Sequence, residues 1–306
     1  MVRVVDERIP EYGRVLAPDV GSPDSVASAI ERPSEAPQAV RPAARETEAA
    51  FWLTLDAVNF GSGWFPTLRK RSEKTGYKTI AAGIRRRFDA HGRWTAPQLT
   101  GLTEAELAEW IDQDPEHELV GLMVDSLHDL GENVQRLYGK SFAALVDSAG
   151  GSAITLVETL AQWRCFADVS RYDGRSVPFL KRAQIAAADL HRAGVADFAD
   201  LDQLTIFADN LVPHVLRLDG VLWFDPELVA RIERAELIEH GSPEEVEIRA
   251  CAVHAVELLR AAAVELGPAH HPDNSNAAQI DEILWNRGQA PEYKAVPRHR
   301  SRSTAY

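Results

Sequence analysis

Apolar residues recur along most of the chain at the spacing of one face of an α-helix. In TEAELAEWIDQ, Leu107, Trp110 and Ile111 share such a face, and the Thr-x-x-Glu pattern at Thr103 and Glu106 predicts a capping box. The same spacing predicts further helices in ELVGLMVDSLHDLGENVQRLYG, SAITLVETLAQW, VPFLKRAQIAAADLHRAG, DPELVARIERAELIEHG and SPEEVEIRACAVHAVELLRAAAVELG. In the last two, Asp225 and Ser242 are the expected caps. These patterns predict a mainly α fold.

Strand patterns are few. AAFWLTLDAVNF fits either a strand or an irregular helix, and GVLWFD fits one short strand. The Pro- and Ala-rich stretch Pro33–Arg45 is typical of a connection that follows a short N-terminal helix. We therefore expect a single helical domain over residues 1–306, with an N-terminal segment, 1–46, and a main body, 47–306.

Composition and charge narrow the class of protein. A hydrophobic content of 45% and a charged content of 26% are typical of soluble globular proteins. The formal net charge, 33 − 46 = −13, argues against binding a nucleic-acid polymer, which requires clustered basic residues. No apolar run reaches the roughly 18 residues of a membrane span, and MVRVVDERIPEYG has no apolar signal core. We expect a cytoplasmic protein with no membrane association and no obligate protein partner.

Most familiar catalytic and metal-binding motifs are missing from the sequence. Cys165 and Cys251 lie among apolar neighbours and are expected to be buried thiols rather than a disulfide or a metal pair. His270 and His271 are adjacent, which is not a metal-ligand spacing, and Gly61-x-Gly63 lacks the frame of a phosphate loop. We therefore predict neither a metal site nor a cofactor.

Three acidic residues stand beside aromatic residues at separate points of the chain. A planar base needs aromatic faces for stacking and carboxylates for its amino edges, and these segments offer both. The simpler alternative is that the aromatic residues fill the core while the acids cap helices. The segments concerned contain Asp56 with Asn59 and Phe60, Asp209 with Phe207, and Asp281 with Trp285 and Asn286.

One of these acids, Asp209, interrupts the apolar run LTIFADNLVPHVL. Because Pro213 favours the first turn of a helix, Asp209 is expected to cap a helix junction. A carboxylate that backbone N–H groups fix at such a junction can also stabilise an oxocarbenium-like transition state or direct a water at a sugar.

Basic candidates for a phosphate are Lys181 and the tail cluster His299, Arg300 and Arg302, unless these residues are simply solvated.

Taken in order, several segments resemble the queuosine salvage protein family. They are LTLDAVNFGSGWF, PFLKRAQIAAADL, LTIFADNLVPHVL, GSPEEVEIRACAVHAVELLR, IDEILWN and VPRHRSR, and the resemblance covers about residues 47–306. It implies hydrolysis of queuosine 5′-monophosphate to ribose 5-phosphate and queuine, which is salvaged into tRNA. It also implies a helical fold similar to that of helix-hairpin-helix DNA glycosylases.

The resemblance assigns roles to individual residues. The Phe-Ala-Asp motif falls on residues 207–209, which makes Asp209 the implied catalytic carboxylate and Phe207 a wall of the base site. Asp281 is the implied base-binding acid, and Asn286 stands where some relatives carry Asp, which leaves its role open. The remaining candidate substrate contacts are Trp285, Asp56, Asn59 and Phe60, together with Lys181, His299 and Arg300, which are selected for their charge as phosphate partners.

Two other functions remain open at this stage. A DNA glycosylase or a helix-hairpin-helix DNA-binding module is disfavoured by the charge of −13 and by HRAGVADFADLDQL, which lacks a basic Gly-rich hairpin before Asp209. A non-catalytic helical protein that binds a modified nucleoside would use nearly the same pocket as the hydrolase, so the sequence does not separate the two.

Overall fold

Most of the chain is α-helical. A computed structural model describes residues 1–16, 42–70, 75–266 and 276–306, which contain fourteen α-helices and four short strands. The predicted mainly α class is confirmed. Within the described residues, no helix is both long and apolar enough to span a lipid bilayer. The predicted connection at residues 33–45 lies largely outside the described residues, and its last four residues begin a helix.

Contacts within the chain divide it into two compact units, each assembled from separate segments. Unit 1 comprises residues 1–33, 169–181 and 202–302, and unit 2 comprises 34–168, 182–201 and 303–306. The single-domain organisation expected from the sequence stays a prediction.

Unit 1 contains all four strands and six complete helices among its described residues. The strands are β1 (Val2–Val4), β2 (Val169–Tyr172), β3 (Arg175–Pro178) and β4 (Leu222–Phe224). The helices are α1 (Ile9–Leu16), α10 (Val212–Leu218), α11 (Pro226–Glu233), α12 (Pro243–Leu266), α13 (Ala277–Arg287) and α14 (Pro291–Lys294). Short 3-10 helices occupy Asp6–Arg8 and Leu201–Gln203.

Helix α12 is the centre of unit 1. It contacts α1, β1, α10 and α13, and most of its buried apolar side chains lie in one cluster with residues from those elements. Strands β1 and β4 pair antiparallel with Val2 opposite Phe224, and β2 and β3 form a separate antiparallel hairpin. The loop before α10 is therefore flanked by a rigid helical core.

Unit 2 is helical throughout. Its helices are α2 (Pro42–Ala57), α3 (Gly76–His91), α4 (Ala96–Thr100), α5 (Glu104–Ile111), α6 (Glu118–Leu137), α7 (Phe142–Ser148), α8 (Ala153–Ala161) and, after its first residue, α9 (Lys181–Arg192), with a 3-10 turn at Phe65–Thr67. Helices α4 and α6 pack closely, and a Cβ on Gly131 would lie 2.7 Å from the Ala96 carbonyl oxygen. Only glycine permits this approach.

Local sequence signals predicted several helix ends. The capping box at Thr103 is confirmed, and Asp225 accepts a 2.9 Å hydrogen bond from the Glu227 N–H. The ambiguous AAFWLTLDAVNF is helical up to Ala57, and GVLWFD contains β4.

Two predicted helices are shorter than expected. Helix α11 ends at Glu233 rather than near Gly241, and Ala235 beyond it adopts a left-handed conformation with φ of 58°. The helix predicted from Val177 starts only at Lys181, because Val177 and Pro178 belong to β3.

A half-buried carboxylate holds three elements of unit 1 together. Asp219, after α10, accepts hydrogen bonds from Tyr12 of α1, from Tyr293 of α14 at 2.7 Å and from Arg287 of α13 at 3.2 Å. Burial, with the hydrogen bond to Asp219, raises the pKa of Tyr293 to about 12, so its phenol remains a donor. Asp219 thus links α1, α13 and α14, which are distant in sequence, through hydrogen bonds to its carboxylate.

Replacing Asp219 with alanine is expected to lower the free energy of unfolding by about 2–4 kcal/mol. Each hydrogen bond to a charged group contributes about 1.5–3 kcal/mol, and the released donors regain part of this by binding water. Denaturant unfolding followed by circular dichroism measures the change. Tyr12→Phe removes one of the bonds and should cost clearly less. Equal stability of Asp219→Ala and wild type would contradict this role.

Candidate active site in the segment before helix α10

The segment that contains Asp209 has no regular secondary structure of its own. Residues 204–211 lie between a 3-10 turn and α10, and Asp209 is half-buried within them. The Asp209 Oδ1 atom accepts hydrogen bonds from the N–H of Leu211 at 2.7 Å and from that of Val212 at 3.2 Å. Asp209 therefore lies near the helix junction as predicted, but two residues before the N-cap position, Leu211, which itself makes no side-chain capping bond. The hydrogen bonds to Asp209 fix the direction of its carboxylate.

Side chains from two helices bind the backbone just before Asp209. On α13, Asp281 Oδ1 accepts a 3.0 Å hydrogen bond from the Phe207 N–H. On α12, Arg249 Nε donates a 2.9 Å hydrogen bond to the Ala208 carbonyl oxygen. Just after Asp209, the Asn210 side-chain amide donates to the His299 carbonyl oxygen at 3.2 Å. The sequence prediction that Phe207, Asp209 and Asp281 act at one place is therefore compatible with the fold of unit 1.

The charges around Asp209 are mixed. Burial, followed by the negative charge of Asp209, raises the pKa of Asp281 well above its usual value, although the Phe207 N–H and Lys181 act in the opposite direction. Burial lowers the pKa of Arg298, and the charge of Asp209 partly restores it. Two carboxyl groups and two basic side chains thus interact electrostatically in this part of unit 1. The protonated form is favoured at Asp281, as in paired carboxyl groups generally.

The C-terminal basic residues differ in burial and charge. The His299 ring is buried, and burial is the main cause that lowers its pKa to about 3, so this imidazole is neutral near pH 7. Arg300 is half-buried, and its carbonyl oxygen accepts a hydrogen bond from the Ile238 N–H at 2.9 Å. Arg298 is therefore a better cationic candidate than His299, although the sequence analysis did not select it.

The aromatic candidates of unit 1 lie on two elements. Phe207 is buried in the irregular segment, whereas Trp285 is half-buried on α13, one turn after Asp281. Residues four apart share one face of a helix, so Trp285 and Asp281 project to the same side of α13. Asn286 is half-buried at the next position of α13.

Three predicted substrate residues belong to unit 2. Asp56 is fully buried near the end of α2, Asn59 is half-buried just after this helix, and Phe60 is buried. The buried Arg182 donates hydrogen bonds to the Ala57 carbonyl oxygen and, at 3.4 Å, to Ser126 Oγ, and its guanidinium lies 4.8 Å from the centre of the Phe60 ring. Arg182 thus ties down the C-terminal end of α2.

Three buried or partly buried arginines were not predicted from the sequence. Arg182 and Arg249 each bind a carbonyl oxygen next to a candidate acid, and Arg298 interacts with Asp209 through its charge. For Arg182 and Arg249 the available signal was an arginine within an otherwise apolar helix face, but such residues are usually solvated, and for Arg298 there was no pattern. Their burial depends on tertiary packing that the local pattern does not contain.

The described residues contain no cluster of three or more His, Cys, Asp or Glu side chains that could hold a metal ion. His270 and His271 lie outside the described residues. Both cysteines are free; Cys165 is buried and Cys251 is half-buried.

Replacing Asp281 with asparagine is expected to stabilise the protein increasingly as the pH rises. A carboxyl group whose pKa is raised on folding contributes its full stability below the unfolded pKa, near about 3.9, and loses it as the pH rises through the folded value. Asparagine mimics the protonated form and still accepts the Phe207 hydrogen bond.

Thermal unfolding between pH 4 and pH 8 tests this expectation. The melting temperatures of Asp281→Asn and wild type should be close at pH 4 and diverge towards pH 8, with the variant higher. Asp202→Asn, at an exposed acid of the same unit, should show no such divergence. A variant that is less stable than wild type at pH 8 would refute the assigned protonation state.

Comparison with known proteins places the chain in a family. Residues 40–306 match the family model described as queuosine salvage protein. A protein of Sphaerobacter thermophilus named queuosine 5′-phosphate N-glycosylase/hydrolase is 36% identical over 271 residues, covering 86% of this chain and 82% of that protein. Proteins of the same name from Dictyostelium discoideum (85% of this chain, 79% of the relative) and Mus musculus (87% and 85%) are 32% and 28% identical. The chain therefore belongs to the queuosine salvage protein family.

Proposed function

We propose that this protein hydrolyses the N-glycosidic bond of queuosine 5′-monophosphate and releases queuine and ribose 5-phosphate. The observation that carries the proposal is the anchored, half-buried carboxylate of Asp209 beside a second, buried carboxyl group. The proposal is also supported by relatives of this chain that are named queuosine 5′-phosphate N-glycosylase/hydrolase. The released queuine would be available for salvage into tRNA.

Asp209 is the proposed catalytic residue. Cleavage of the bond between C1′ and the base leaves positive charge on C1′ and the ring oxygen, and water supplies the new oxygen at C1′. The leaving base carries carbon in place of N7, so it cannot be activated by protonation at that position. A larger share of the barrier therefore falls on stabilising the sugar cation and directing the water, which is the role of a fixed carboxylate.

Asp281 and Phe207 are proposed to bind the base. Because the protonated form of Asp281 is favoured, its carboxyl group can donate a hydrogen bond to an acceptor on the base. Phe207 offers an aromatic face in the adjoining segment, and Trp285 and Asn286 extend the same region along α13. Acidic groups also suit the protonated aminomethyl substituent of queuine.

The 5′-phosphate requires cationic partners. Arg298 is the strongest candidate because its charge interacts with that of Asp209 in the same unit. Lys181, whose charge acts on Asp281, and Arg300 are further candidates, whereas His299 would contribute as a neutral hydrogen-bonding group. We thus propose that a free nucleotide is the substrate, which accords with a net charge of −13.

We further propose a cytoplasmic location and a fold similar to that of helix-hairpin-helix DNA glycosylases. The mainly helical composition with a few short strands supports the proposed fold. An experimental structure compared with such glycosylases tests it, and a different helix order around Asp209 would refute it.

Asp209→Asn is expected to lower the rate of queuine release at least about a hundredfold, the loss typical when a transition-state-stabilising group is removed. The assay follows free queuine from queuosine 5′-monophosphate by liquid chromatography. Binding of the nucleotide, measured by calorimetry, should persist, since the base contacts remain.

The matched control is Asp202→Asn, the same chemical change at an exposed acid seven residues earlier. It should retain wild-type turnover. Near-normal turnover by Asp209→Asn would refute the role of Asp209, whereas tight binding without any turnover by wild type would favour a non-catalytic binding protein.

Arg298→Gln is expected to raise KM for the 5′-nucleotide about tenfold or more, because a charge-assisted contact to phosphate is lost. The rate with queuosine, which lacks the phosphate, should change much less. Arg234→Gln, at an exposed arginine of unit 1, is the charge-matched control. Equal losses with nucleotide and nucleoside would show that Arg298 does not recognise the phosphate.

A further inference from the structure

The irregular segment before α10 relies on other elements for its position. Within residues 204–211, one short backbone hydrogen bond joins the Ala208 N–H to the Ile206 carbonyl oxygen at 3.0 Å. Besides the bonds from Leu211 and Val212 to the Asp209 carboxylate, the contacts described above come from the side chains of Asp281 and Arg249 and from the Asn210 amide. A loop of this kind is positioned only as rigidly as the groups that bind it.

Arg249 is an unusual anchor because its side chain is completely buried. It forms an ion pair with the equally buried Glu245, at 3.5 Å and one helical turn away on α12. Its guanidinium lies 3.9 Å from the centre of the Phe179 ring. Burying two charges costs more than it returns unless their geometry is well satisfied, so such pairs are often retained for specificity rather than stability.

Glu245, the ion-pair partner of Arg249, is kept ionised by a second set of contacts. Burial acts to raise the pKa of Glu245, but His240, Arg249 and the Gly241 N–H lower it to about 2. Glu245 is therefore ionised near pH 7 and offsets the charge of Arg249. The Nε–H of Arg249 meanwhile points at the Ala208 carbonyl oxygen, on the peptide group that leads into Asp209.

Packing fixes the same peptide from another side. Ala208 is fully buried in a small apolar cluster with Phe179 and Val246, and Val246 precedes Arg249 by three residues on α12. One turn of α12 thus supplies both an apolar contact to the Ala208 side chain and a hydrogen bond to its carbonyl oxygen. Together these contacts restrict both displacement and rotation of the peptide that carries Asp209.

We infer that Arg249 is a positioning residue for Asp209: it fixes the Ala208 carbonyl oxygen, and through that peptide the direction of the carboxylate, while Glu245 offsets its charge. This inference rests on the proposed function for its catalytic consequence. The chemical advantage is that an anchor on the backbone orients the anion without neutralising it, so its negative charge remains available to a cationic transition state.

The test compares Arg249→Lys with Leu259→Ala. Lysine retains the charge opposite Glu245 but lacks the planar guanidinium and its Nε–H, so the bond to Ala208 is lost or misdirected. Leu259→Ala removes a buried side chain of the same helix away from the segment and serves as a control for general loss of stability.

Arg249→Lys is expected to lower kcat about tenfold or more with KM within about twofold of wild type, whereas Leu259→Ala should retain kcat per folded molecule. Hydrogen exchange provides a second readout that needs no activity. The amides of Phe207, Leu211 and Val212 should exchange about ten times faster in Arg249→Lys than in Leu259→Ala.

Unchanged exchange in this segment would overturn the inference whatever the activity, and faster exchange with wild-type kcat would overturn its catalytic part. If wild type releases no queuine, the proposed function fails, and the exchange data alone decide whether Arg249 anchors the segment. If Arg249→Lys does not fold, the double variant Arg249→Met with Glu245→Met removes both buried charges at similar volume and takes its place.

Discussion

The structure of the candidate site depends on hydrogen bonds to a stretch of backbone that has no regular structure. The peptide groups before Asp209 are bound by Asp281 from α13 and by Arg249 from α12, and Asp209 itself binds the N–H of Leu211 and that of Val212, the first residue of α10. Both anchoring helices belong to the core of unit 1. A mobile loop would leave the carboxylate free to point away from a sugar, and the loss of even about 1 Å in position can cost much of a catalytic effect.

Asp209 and Asp281, the two carboxyl groups of the candidate site, lie in different environments. Asp281 is buried, and burial with the nearby charge of Asp209 favours its protonated form. Asp209 is half-buried and accepts backbone hydrogen bonds at a helix start. A raised pKa is a common means of favouring the hydrogen-bond-donating form of one acid in a site. The proposed reaction uses Asp281 at the base and the Asp209 side chain at the sugar.

Local sequence signals predicted the parts of the fold that depend on neighbouring residues. Pro213 correctly predicted the helix junction near Asp209, and Thr103 with Glu106 predicted a helix start. The spacing from Asp281 to Trp285 placed both on one face of α13. The early end of α11 escaped prediction because it depends on the left-handed conformation of Ala235, which the apolar pattern does not encode.

The burial of charged side chains by distant segments could not be predicted from the sequence. Glu245 and Arg249 have the spacing of an ordinary solvated pair on a helix, yet both are completely buried. Arg298 lies in an aperiodic tail, where no pattern indicates that its charge interacts with Asp209. In each case the decisive fact is which distant segment covers the side chain.

The most direct measurement is a crystal structure of Asp209→Asn with uncleaved queuosine 5′-monophosphate bound. The account predicts that C1′ of the ribose lies within contact distance of the residue 209 side chain, with the base against Phe207 and the Asp281 carboxyl group. A nucleotide bound elsewhere, with residue 209 remote from C1′, would contradict the account.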